Sequence, residues 1–414
     1  MIDITELDQE LAILVGVGVE DEIMPSLQEL SLLAETAGAD TCAIVTQQLD
    51  RINRATYIGS GKTEEVAELF KNTEADLVVF DDELSAIQKR NLEAKIGGRV
   101  IDRSTLILDI FAQRAQTREG KLQVELAQLK YTLPRLSGMG GSMAKLRAGI
   151  GMRGPGETKL ETDRRRIRAK IQSISEELEN VKKIRDVQRR QRDKAGTFRI
   201  ALIGYTNAGK STILNALTDS EVLAEDMLFA TLDPTTRQLK LPNQTEVLLT
   251  DTVGFIRKLP HHLVNAFRAT LEESLDADLL LHIVDGSSDA VLDNIEVVEG
   301  ILEDLKVLDK PCVIVYNKMD RSQEGLFPPA HDTIAVSAKT GEGMDDLIAR
   351  IEEELEKTRR RLTVVIPFDK GDIVSMLHKE AEIMAEDYTE KGTRMDVIID
   401  NKFLSVLSSF ICEK

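Results

Sequence analysis

The sequence predicts an α/β protein built from several units, and three observations support this. Apolar runs of strand length alternate with amphipathic helical stretches at the start of the chain and again from residue 197, a pattern typical of parallel sheets covered by helices. Between these regions, two long stretches with helical periodicity flank a glycine-rich segment. The length of 414 residues is also too great for one compact domain, so we expect about two to four units.

Residues 1–104 are predicted to form the first unit, a parallel α/β domain with four strands separated by helices. The strands are expected at 11–17, 41–46, 77–80 and 99–102, and the helices at 26–37, 62–71 and 84–95. Cys42 falls in one of these apolar strands, and His282 falls in an apolar strand of a later unit. Both are therefore expected to be core residues.

Residues 105–196 are predicted to form a long antiparallel helix pair joined by a basic, glycine-rich loop at 137–156. Apolar residues recur at spacings of three and four on both sides of the loop, which places them on one face of each helix. On the first helix they are Leu122, Leu126, Leu129 and Leu133, and on the second they are Ile167, Ile171, Ile174, Leu178 and Val181. The alternative is two helices that dock independently elsewhere, because periodicity does not identify the partner of a helix.

The chain is strongly acidic overall, but its charge reverses locally. With 53 basic and 71 acidic residues, the formal net charge is −18, which argues against a general nucleic-acid binder. Aromatic residues make up 4% of the chain and tryptophan is absent, so base-stacking surfaces are not expected. From residue 130 to 170, however, there are eleven Lys and Arg residues against three Asp and Glu residues, a local net charge of +8. A solvated helical face is the plain interpretation, and a contact with RNA phosphates is the functional one.

Cysteine usage and hydropathy indicate in which cellular compartment the protein is expected. The three cysteines are far apart and fit neither a disulfide framework nor a zinc site, so they indicate reducing surroundings. No apolar run reaches the roughly 18 residues that a membrane helix needs, and the acidic N-terminus shows no secretory signal. We therefore expect a cytoplasmic monomer without integral membrane association, while partial membrane association stays open.

The third unit, predicted at residues 197–361, contains the strongest functional motif. The segment Gly204-Tyr-Thr-Asn-Ala-Gly209-Lys210-Ser211 follows an apolar strand at 198–203 and precedes a helical run. This is the pattern G-x-x-x-x-G-K-S of a phosphate loop, whose backbone N–H groups converge on phosphate oxygens. In such a loop, Lys210 would bridge the β- and γ-phosphates and the Ser211 hydroxyl would bind Mg²⁺.

Two further segments predict that the nucleotide is a guanine nucleotide. Asn317-Lys318-Met-Asp320 follows a strand, and its aspartate can accept hydrogen bonds from both N1–H and the exocyclic amine of guanine. Adenine offers no such pair, so a site built around this carboxylate rejects it. Ser337-Ala338-Lys339 follows another strand and fits the loop whose backbone contacts the guanine O6.

A third segment predicts the residues that respond to the γ-phosphate. Asp251-Thr-Val-Gly254 follows the strand at 246–250 and fits the D-x-x-G pattern of GTPases. Asp251 would reach the Mg²⁺ shell, and the N–H of Gly254 would contact the γ-phosphate. A glutamine that orients the attacking water often follows this motif, but Phe255 stands here. We therefore expect slow unassisted hydrolysis, with His261 and His262 as candidate water-positioning groups or, alternatively, as solvent-exposed side chains.

Residues 362–414 are predicted to form a small C-terminal α+β domain. Strands are expected at 362–368 and 394–399, with a helix at about 372–386 between them. The basic turn at 358–361 is expected to be the linker to this domain.

These motifs together resemble the HflX family in the Obg–HflX superfamily of translational GTPases. The resemblance is carried by Phe229-Ala-Thr231-Leu-Asp-Pro-Thr-Thr-Arg237, by Asp251-Thr-Val-Gly-Phe255, by Gly154-Pro-Gly-Glu157 and by the order of the four units. It implies a P-loop GTPase that uses Mg²⁺, binds the large ribosomal subunit and its RNA, and splits or rescues ribosomes. It also implies activation by the ribosome.

The resemblance also assigns roles to individual residues. Thr231 would be the switch threonine that joins Mg²⁺ together with Ser211, although Thr235 and Thr236 compete for that role. Lys210, Thr231 and Gly254 are the expected catalytic residues. The expected nucleotide-binding residues are Gly204, Tyr205, Thr206, Asn207, Ala208, Gly209, Lys210, Ser211, Thr212, Phe229, Ala230, Thr231, Leu232, Asp233, Asp251, Thr252, Val253, Gly254, Asn317, Lys318, Asp320, Ser337, Ala338 and Lys339.

Some expectations concern additional ligands. Asn207 matches a position that can hold K⁺ in relatives of this superfamily, or it can simply stabilise the loop turn. The expected RNA contacts are Lys145, Arg147, Arg153 and Lys159.

Two other functions stay open on the residues alone. One is a GTP-dependent interaction switch without a ribosome partner. The other is an RNA remodelling factor with a second nucleotide site at Gly59-Ser-Gly61-Lys62-Thr63. That segment ends like a phosphate loop, but Thr56 stands where the first glycine belongs, so a plain strand-to-helix turn is the competing interpretation.

Overall fold

A computed structural model describes residues 9–136, 155–194, 197–218, 227–258, 276–307, 309–322 and 333–412. The side chains at 155–160, 186–194, 402 and 405 lie outside this description. The predicted RNA contacts Lys145, Arg147 and Arg153, the side chain of Lys159, and both His261 and His262 therefore lie outside it as well. Among the described residues, no helix is both long enough and apolar enough to span a bilayer.

The first unit contains a parallel sheet of four strands, as the sequence predicts. Its elements are β1 (Glu10–Val17), α1 (Glu20–Ala37), β2 (Ala39–Gln47), α2 (Ser60–Asn72), β3 (Leu77–Phe80), α3 (Ala86–Ile96) and β4 (Arg99–Asp102), and the strand order is β2-β1-β3-β4. Helix α1 begins earlier than expected because three acidic residues occupy its first turn, where the helix dipole favours them.

The expectation that Cys42 is a core residue is wrong. Cys42 is exposed, and its Sγ lies 3.4 Å from the carbonyl oxygen of Ala12. The reason is that β2 lies at the edge of the sheet and that Cys42 is the extra residue where the register of β2 with β1 shifts, so Cys42 has no paired residue in β1. His282, on a central strand of the nucleotide domain, is buried as predicted, and its burial lowers its pKa to about 4.

The antiparallel helix pair is present and is preceded by a further helix. These elements are α4 (Arg103–Arg114), α5 (Arg118–Arg135) and α6 (Pro155–Lys194). Arg185 of α6 forms an ion pair with Glu119 near the start of α5 at 3.0 Å, and Lys170 contacts Glu125 further along α5. Since the contacts advance along one helix as they recede along the other, the two helices run antiparallel.

The nucleotide domain is built on a six-stranded sheet. Its elements are β5 (Phe198–Gly204), α7 (Lys210–Thr218), β6 (Thr235–Lys240), β7 (Glu246–Asp251), β8 (Leu279–Asp285), α8 (Val291–Leu305), β9 (Cys312–Asn317), β10 (Thr333–Ala335) and α9 (Met344–Lys357). The strand order is β10-β9-β8-β5-β7-β6, and β6 alone among these strands pairs antiparallel with its neighbour. The carboxyl ends of β5, β7 and β9 therefore meet at one edge, where the predicted motifs begin.

The C-terminal unit is a three-stranded antiparallel sheet with the order β11-β13-β12. It consists of β11 (Arg359–Ile366), α10 (Gly371–Glu380), β12 (Glu382–Thr389), β13 (Gly392–Asp400) and α11 (Leu404–Leu407). The helix expected to reach residue 386 ends at Glu380, because the following residues pair with β13 as a strand. The expected linker at 358–361 is mostly part of β11, which begins directly after α9.

Candidate nucleotide site

The phosphate loop lies between β5 and α7, and its glycines are required by close contacts. A Cβ atom on Gly204 would lie 2.1 Å from the carbonyl oxygen of Ile283, and one on Gly209 would lie 2.2 Å from the side-chain amide of Asn317. Both glycines also have positive φ, +150° and +92°, which L side chains rarely adopt. Asn207 between them is left-handed as well, at φ 59°, and asparagine tolerates that conformation.

Lys210 is held inside the loop that it belongs to. Its Nζ donates hydrogen bonds to the carbonyl oxygens of Gly204 and Tyr205, at 3.2 and 2.9 Å, and the residue is 6% exposed. Burial lowers the pKa of the ammonium to about 8, although the carboxylate of Asp251 opposes the shift. The ammonium is therefore aimed along the loop at the place where phosphate oxygens bind.

Two hydroxyls and one carboxylate form a cluster that fits Mg²⁺. The Ser211 hydroxyl donates to Oδ2 of Asp251 at 2.6 Å, and the Thr231 hydroxyl lies 2.9 Å from Ser211 and 3.0 Å from the same carboxylate oxygen. Asp251 is fully buried, which raises its pKa, and its Oδ1 has no hydrogen-bond partner among the described residues. Magnesium prefers such oxygen ligands and needs few of them from a protein when phosphates and water supply the rest.

The structure separates the three candidate switch threonines. Thr231 lies beside Ser211 and Asp251, as above, whereas the Thr236 hydroxyl lies 3.0 Å from that of Thr250 across β6 and β7. Thr235 is the first residue of β6, where it pairs with Asp251 in the backbone ladder. Thr231 is therefore the threonine in position to join Mg²⁺.

Gly254 and Phe255 pack closely against the phosphate loop. A Cβ on Gly254 would lie 2.6 Å from Cα of Thr206, and the N–H of Thr206 donates to the carbonyl oxygen of Phe255 at 2.7 Å. The Phe255 side chain is 2% exposed and belongs to an apolar cluster with residues of β5, β8 and α8. The ring is therefore buried in the core and does not offer a polar group to an attacking water.

The residues predicted to read guanine are linked by hydrogen bonds at the ends of β9 and β10. Asn317 donates from its side-chain amide to the carbonyl oxygen of Ala208 at 3.0 Å and accepts from the N–H of Ala338 at 3.1 Å. The Ser337 hydroxyl donates to Oδ1 of Asp320 at 2.7 Å and lowers the pKa of this exposed carboxyl group. Asp320 is thus held ionised, as a guanine acceptor requires.

The two predicted lysines at these strand ends, Lys318 and Lys339, each lie near a carboxylate. Lys318 forms an ion pair with Asp285 at 2.8 Å, and Lys339 lies near enough to Asp320 to lower its pKa further.

The structure brings most of the residues predicted to bind the phosphates together around one cavity. Met227 also lines this cavity, and the sequence analysis did not predict it. The predicted residues that line this cavity are Thr206, Asn207, Gly209, Lys210, Ser211, Thr212, Phe229, Ala230, Thr231, Thr252 and Gly254. Four other predicted residues, Tyr205, Leu232, Asp233 and Val253, contact the first two units instead.

An unpredicted set of buried charged residues connects the phosphate loop to the first unit. The Tyr205 hydroxyl donates to Glu29 of α1 at 2.6 Å and accepts from the N–H of Arg257 at 2.9 Å. The guanidinium of Arg103 in α4 lies 2.9 Å from a carboxylate oxygen of Glu29 and 2.7 Å from one of Asp81. Both acidic residues are buried. The one available signal in the sequence was a carboxylate, Glu29, on the apolar face of α1.

These buried charges balance one another. Burial raises the pKa of Glu29 despite the nearby Arg103 guanidinium. Burial also acts to raise the pKa of Asp81, but Arg103 and Lys258 together hold it below its usual value. Lys258, the fourth residue after Gly254, contacts Asp81 and lies 2.9 Å from Asp82. The segment 253–258, here called switch II, is therefore tied to the first unit by charge as well as by apolar packing.

The candidate second nucleotide site is occupied by contacts within the first unit. The N–H of Gly59, at the start of α2, donates to the side chain of Gln47 at 2.9 Å, and Lys62 forms an ion pair with Glu65 at 2.8 Å. The Thr63 hydroxyl donates back to the carbonyl oxygen of Gly59. This geometry favours the interpretation as a plain strand-to-helix turn.

Comparisons with known proteins cover all four units. Family models match residues 24–112 (GTP-binding GTPase N-terminal), 114–192 (GTP-binding GTPase Middle Region), 199–318 (50S ribosome-binding GTPase) and 328–405 (HflX C-terminal domain). GTPase HflX of Caldanaerobacter subterraneus subsp. tengcongensis is 49% identical over 98% of this chain and 94% of its own length. GTPase HflX of Escherichia coli is 44% identical over 93% and 92%.

A crystal structure is also similar to this chain. It is that of a GTP-binding protein from Sulfolobus solfataricus in complex with GDP, and it is 24% identical to this chain. The alignment covers 83% of this chain and 98% of the other, with a TM-score of 0.45.

Proposed function

The chain belongs to the HflX family of GTPases, and on that premise we propose that it is a ribosome-activated factor that splits or rescues ribosomes. It hydrolyses GTP to GDP and phosphate. In the proposed cycle, the GTP-bound form associates with the large ribosomal subunit and displaces what is bound there, and hydrolysis then releases the factor. The family description of residues 199–318 as a 50S ribosome-binding GTPase supports this choice of partner.

The chain's own residues account for nucleotide binding and for the stabilisation of charge during hydrolysis. The loop N–H groups and the start of α7 bind phosphate oxygens, and the ammonium of Lys210 neutralises charge that develops between the β- and γ-phosphates. Ser211, Thr231 and Asp251 would hold Mg²⁺, which supplies electrostatic stabilisation of the phosphates when bound. The N–H of Gly254, a residue that lines the cavity, would contact the γ-phosphate and couple it to switch II.

The apolar residue that follows the D-x-x-G motif supports activation by a partner. Phe255 is buried in the core, so hydrolysis by the chain alone is expected to be slow. A ribosomal contact that orders the switches, or that contributes a polar group near the γ-phosphate, would speed hydrolysis. Potassium bound near Asn207 is a further part of this proposal, because added positive charge at the phosphates would lower the same barrier.

The charge reversal at residues 130–170 is the observation that carries the choice of an RNA-rich partner. The net charge of +8 over residues 130–170, within a chain of −18, concentrates phosphate contacts in the loop between α5 and α6 and in the helix ends that flank it, whereas the acidic remainder discourages RNA binding elsewhere. The few aromatic residues favour recognition of RNA shape and backbone over base stacking.

Co-sedimentation with ribosomal subunits tests the partner. With a non-hydrolysable GTP analogue, we expect binding to large subunits that weakens steeply as salt rises, and weaker binding with GDP. GTP turnover is expected to increase when large subunits are added, and to be faster in potassium than in sodium buffer. Binding that is independent of salt and nucleotide, with unchanged turnover, would instead favour an interaction switch without a ribosome partner.

A further inference from the structure

Asp233 lies two residues after Thr231, and its carboxylate contacts the start of α5. Oδ2 accepts hydrogen bonds from the backbone N–H groups of Gln116 and Thr117, each at 2.9 Å, and Oδ1 accepts one from the Thr117 hydroxyl at 2.5 Å. The Thr117 side chain in turn accepts from the N–H of Gly120 at 2.9 Å and caps the helix. The helix dipole stabilises a negative charge at this end of α5.

Gly120 gives an independent reason to treat this contact as built into the fold. A Cβ atom on Gly120 would lie 2.4 Å from Oδ1 of Asp233. Gly120 lies inside the first turn of α5 without a positive φ, so its backbone does not require glycine there. Alanine is the better helix former at such a position. The missing side chain is therefore explained by the space that the carboxylate occupies.

The residues around Thr231 are fixed to the same helices. We call residues 227–233 switch I. Phe229 packs edge-on against Phe111 of α4 with ring centroids 4.7 Å apart. The side chain of Leu232 is 2% exposed in an apolar core that includes residues of α4 and α5. Thr231 therefore lies between two anchored neighbours, and Asp233 supplies the polar anchor directly after them.

We propose that Asp233 is a positioning residue for GTP hydrolysis. By fixing switch I to the start of α5, it holds the Thr231 hydroxyl beside Ser211 and Asp251. In this place the hydroxyl can bind Mg²⁺ next to the γ-phosphate. The coupling is reciprocal, so a displacement of α5 changes the placement of Thr231, and engagement of Thr231 changes the preferred placement of α5.

The same contact connects the nucleotide to the far end of α5. This helix ends at Arg135, immediately before the basic loop, and its 18 residues span roughly 27 Å. Switch I contacts the start of this helix, and in the sequence the proposed RNA-contacting segment follows its end. This part of the inference rests on the proposed ribosomal function, whereas the positioning of Thr231 does not.

Asp233→Ala and Gly120→Ala test the proposal without ribosomes. Removal of the carboxylate, or displacement of it by a methyl group, is expected to lower kcat for GTP hydrolysis about tenfold. The affinity for a GTP analogue is expected to fall by a similar factor relative to GDP, since Thr231 contributes only when the γ-phosphate is present. Asp233→Asn retains an acceptor for the helix N–H groups and is expected to recover most of kcat.

Asp304→Ala, at an exposed carboxylate on α8, is the matched control. It is expected to change neither kcat nor the ratio of GTP to GDP affinity. Thermal unfolding checks that the Gly120→Ala variant keeps its fold, which alanine in a helix favours. An unchanged kcat and an unchanged GTP-to-GDP affinity ratio in both variants would overturn the proposal, and so would equal losses of GTP and GDP affinity. Because the assays contain no ribosomes, their outcome is independent of the co-sedimentation result.

Discussion

The two ends of the nucleotide pocket differ in what surrounds them. At the phosphate end, Tyr205, switch I and switch II contact α1, α4 and α5 of the first two units through buried charges and a shared apolar core. At the guanine end, the hydrogen bonds of Asn317, Asp320 and Ser337 described above stay within the nucleotide domain. GTP and GDP differ at the phosphate end alone. Under the proposed function, the first two units would sense which phosphate state is bound, and the predicted guanine end would check the base.

Arg103→Ala removes the cation beside Glu29 and Asp81, the two carboxylates that contact the phosphate end, and we expect the largest effect from it. Its loss leaves the carboxylates of Glu29 and Asp81 buried with one cation fewer, so the free energy of unfolding is expected to fall by about 3–5 kcal/mol. Denaturant titration measures this loss. Arg99→Ala is the matched control, because its ion pair with Glu10 is about half exposed and is expected to contribute less than about 1 kcal/mol. A similar loss of unfolding free energy in the two variants would show that the buried Arg103 stabilises the fold no more than the exposed Arg99 does.

Asp320→Asn tests the guanine end. The variant loses the charged acceptor for N1–H and the exocyclic amine, so affinity for GTP is expected to fall about a hundredfold and to shift toward xanthosine triphosphate. Stability to denaturant is expected to stay unchanged, because the carboxyl group is exposed. Equilibrium titrations with both nucleotides measure the change, with Asp304→Asn as the control. Retained GTP affinity would show that Asp320 does not read the base.

Lys210 is expected to make GTP affinity depend on pH, with a smaller change than the two substitutions above produce. Its pKa of about 8 in the nucleotide-free chain means that the ammonium needed by phosphates loses its proton just above neutrality. Affinity for GTP is expected to fall about fourfold from about pH 7 to about pH 8.5. The unfolded chain keeps this proton up to its ordinary pKa of 10.5, so the stability of the nucleotide-free fold is expected to rise with pH between about 8 and 10.5.

Titrations of GTP affinity and of unfolding across this range measure the two opposite trends. An affinity that stays flat to about pH 8.5 would show that Lys210 keeps its proton in the free protein. At the guanine end, Asp320 has its pKa held below the ordinary value, so it is expected to add nothing to the trend above neutral pH.

The sequence predicts which residues of the phosphate loop line the cavity, because that arrangement depends on neighbours along the chain. Lys210 and Ser211 belong to one continuous loop, and the loop needs only a strand before it and a helix after it. The choice of Thr231 over Thr235 and Thr236 required the structure, since three identical residue types within six positions differ only in what they face. The family resemblance and the GTPase fold are both confirmed.

What the sequence does not predict depends on distant partners. Glu29 and Tyr205 are 176 positions apart, and nothing in either segment indicates the other. Cys42 lies in an apolar run, but strand order, which the sequence pattern does not contain, puts that run at a sheet edge. The residues after Glu380 include Glu, Ala and Met, which favour helix, and pairing with β13 overrides that preference.

The direct passage from α9 into β11 has a mechanical consequence. Thr358 is the single residue between them, and its carbonyl oxygen accepts from the N–H of Asn401 at 2.8 Å, at the end of the C-terminal sheet. Arg359 also reaches toward Thr245 of the nucleotide domain. Because the junction is one residue long and hydrogen-bonded, the orientation of the C-terminal sheet depends on the orientation of α9 in the nucleotide domain.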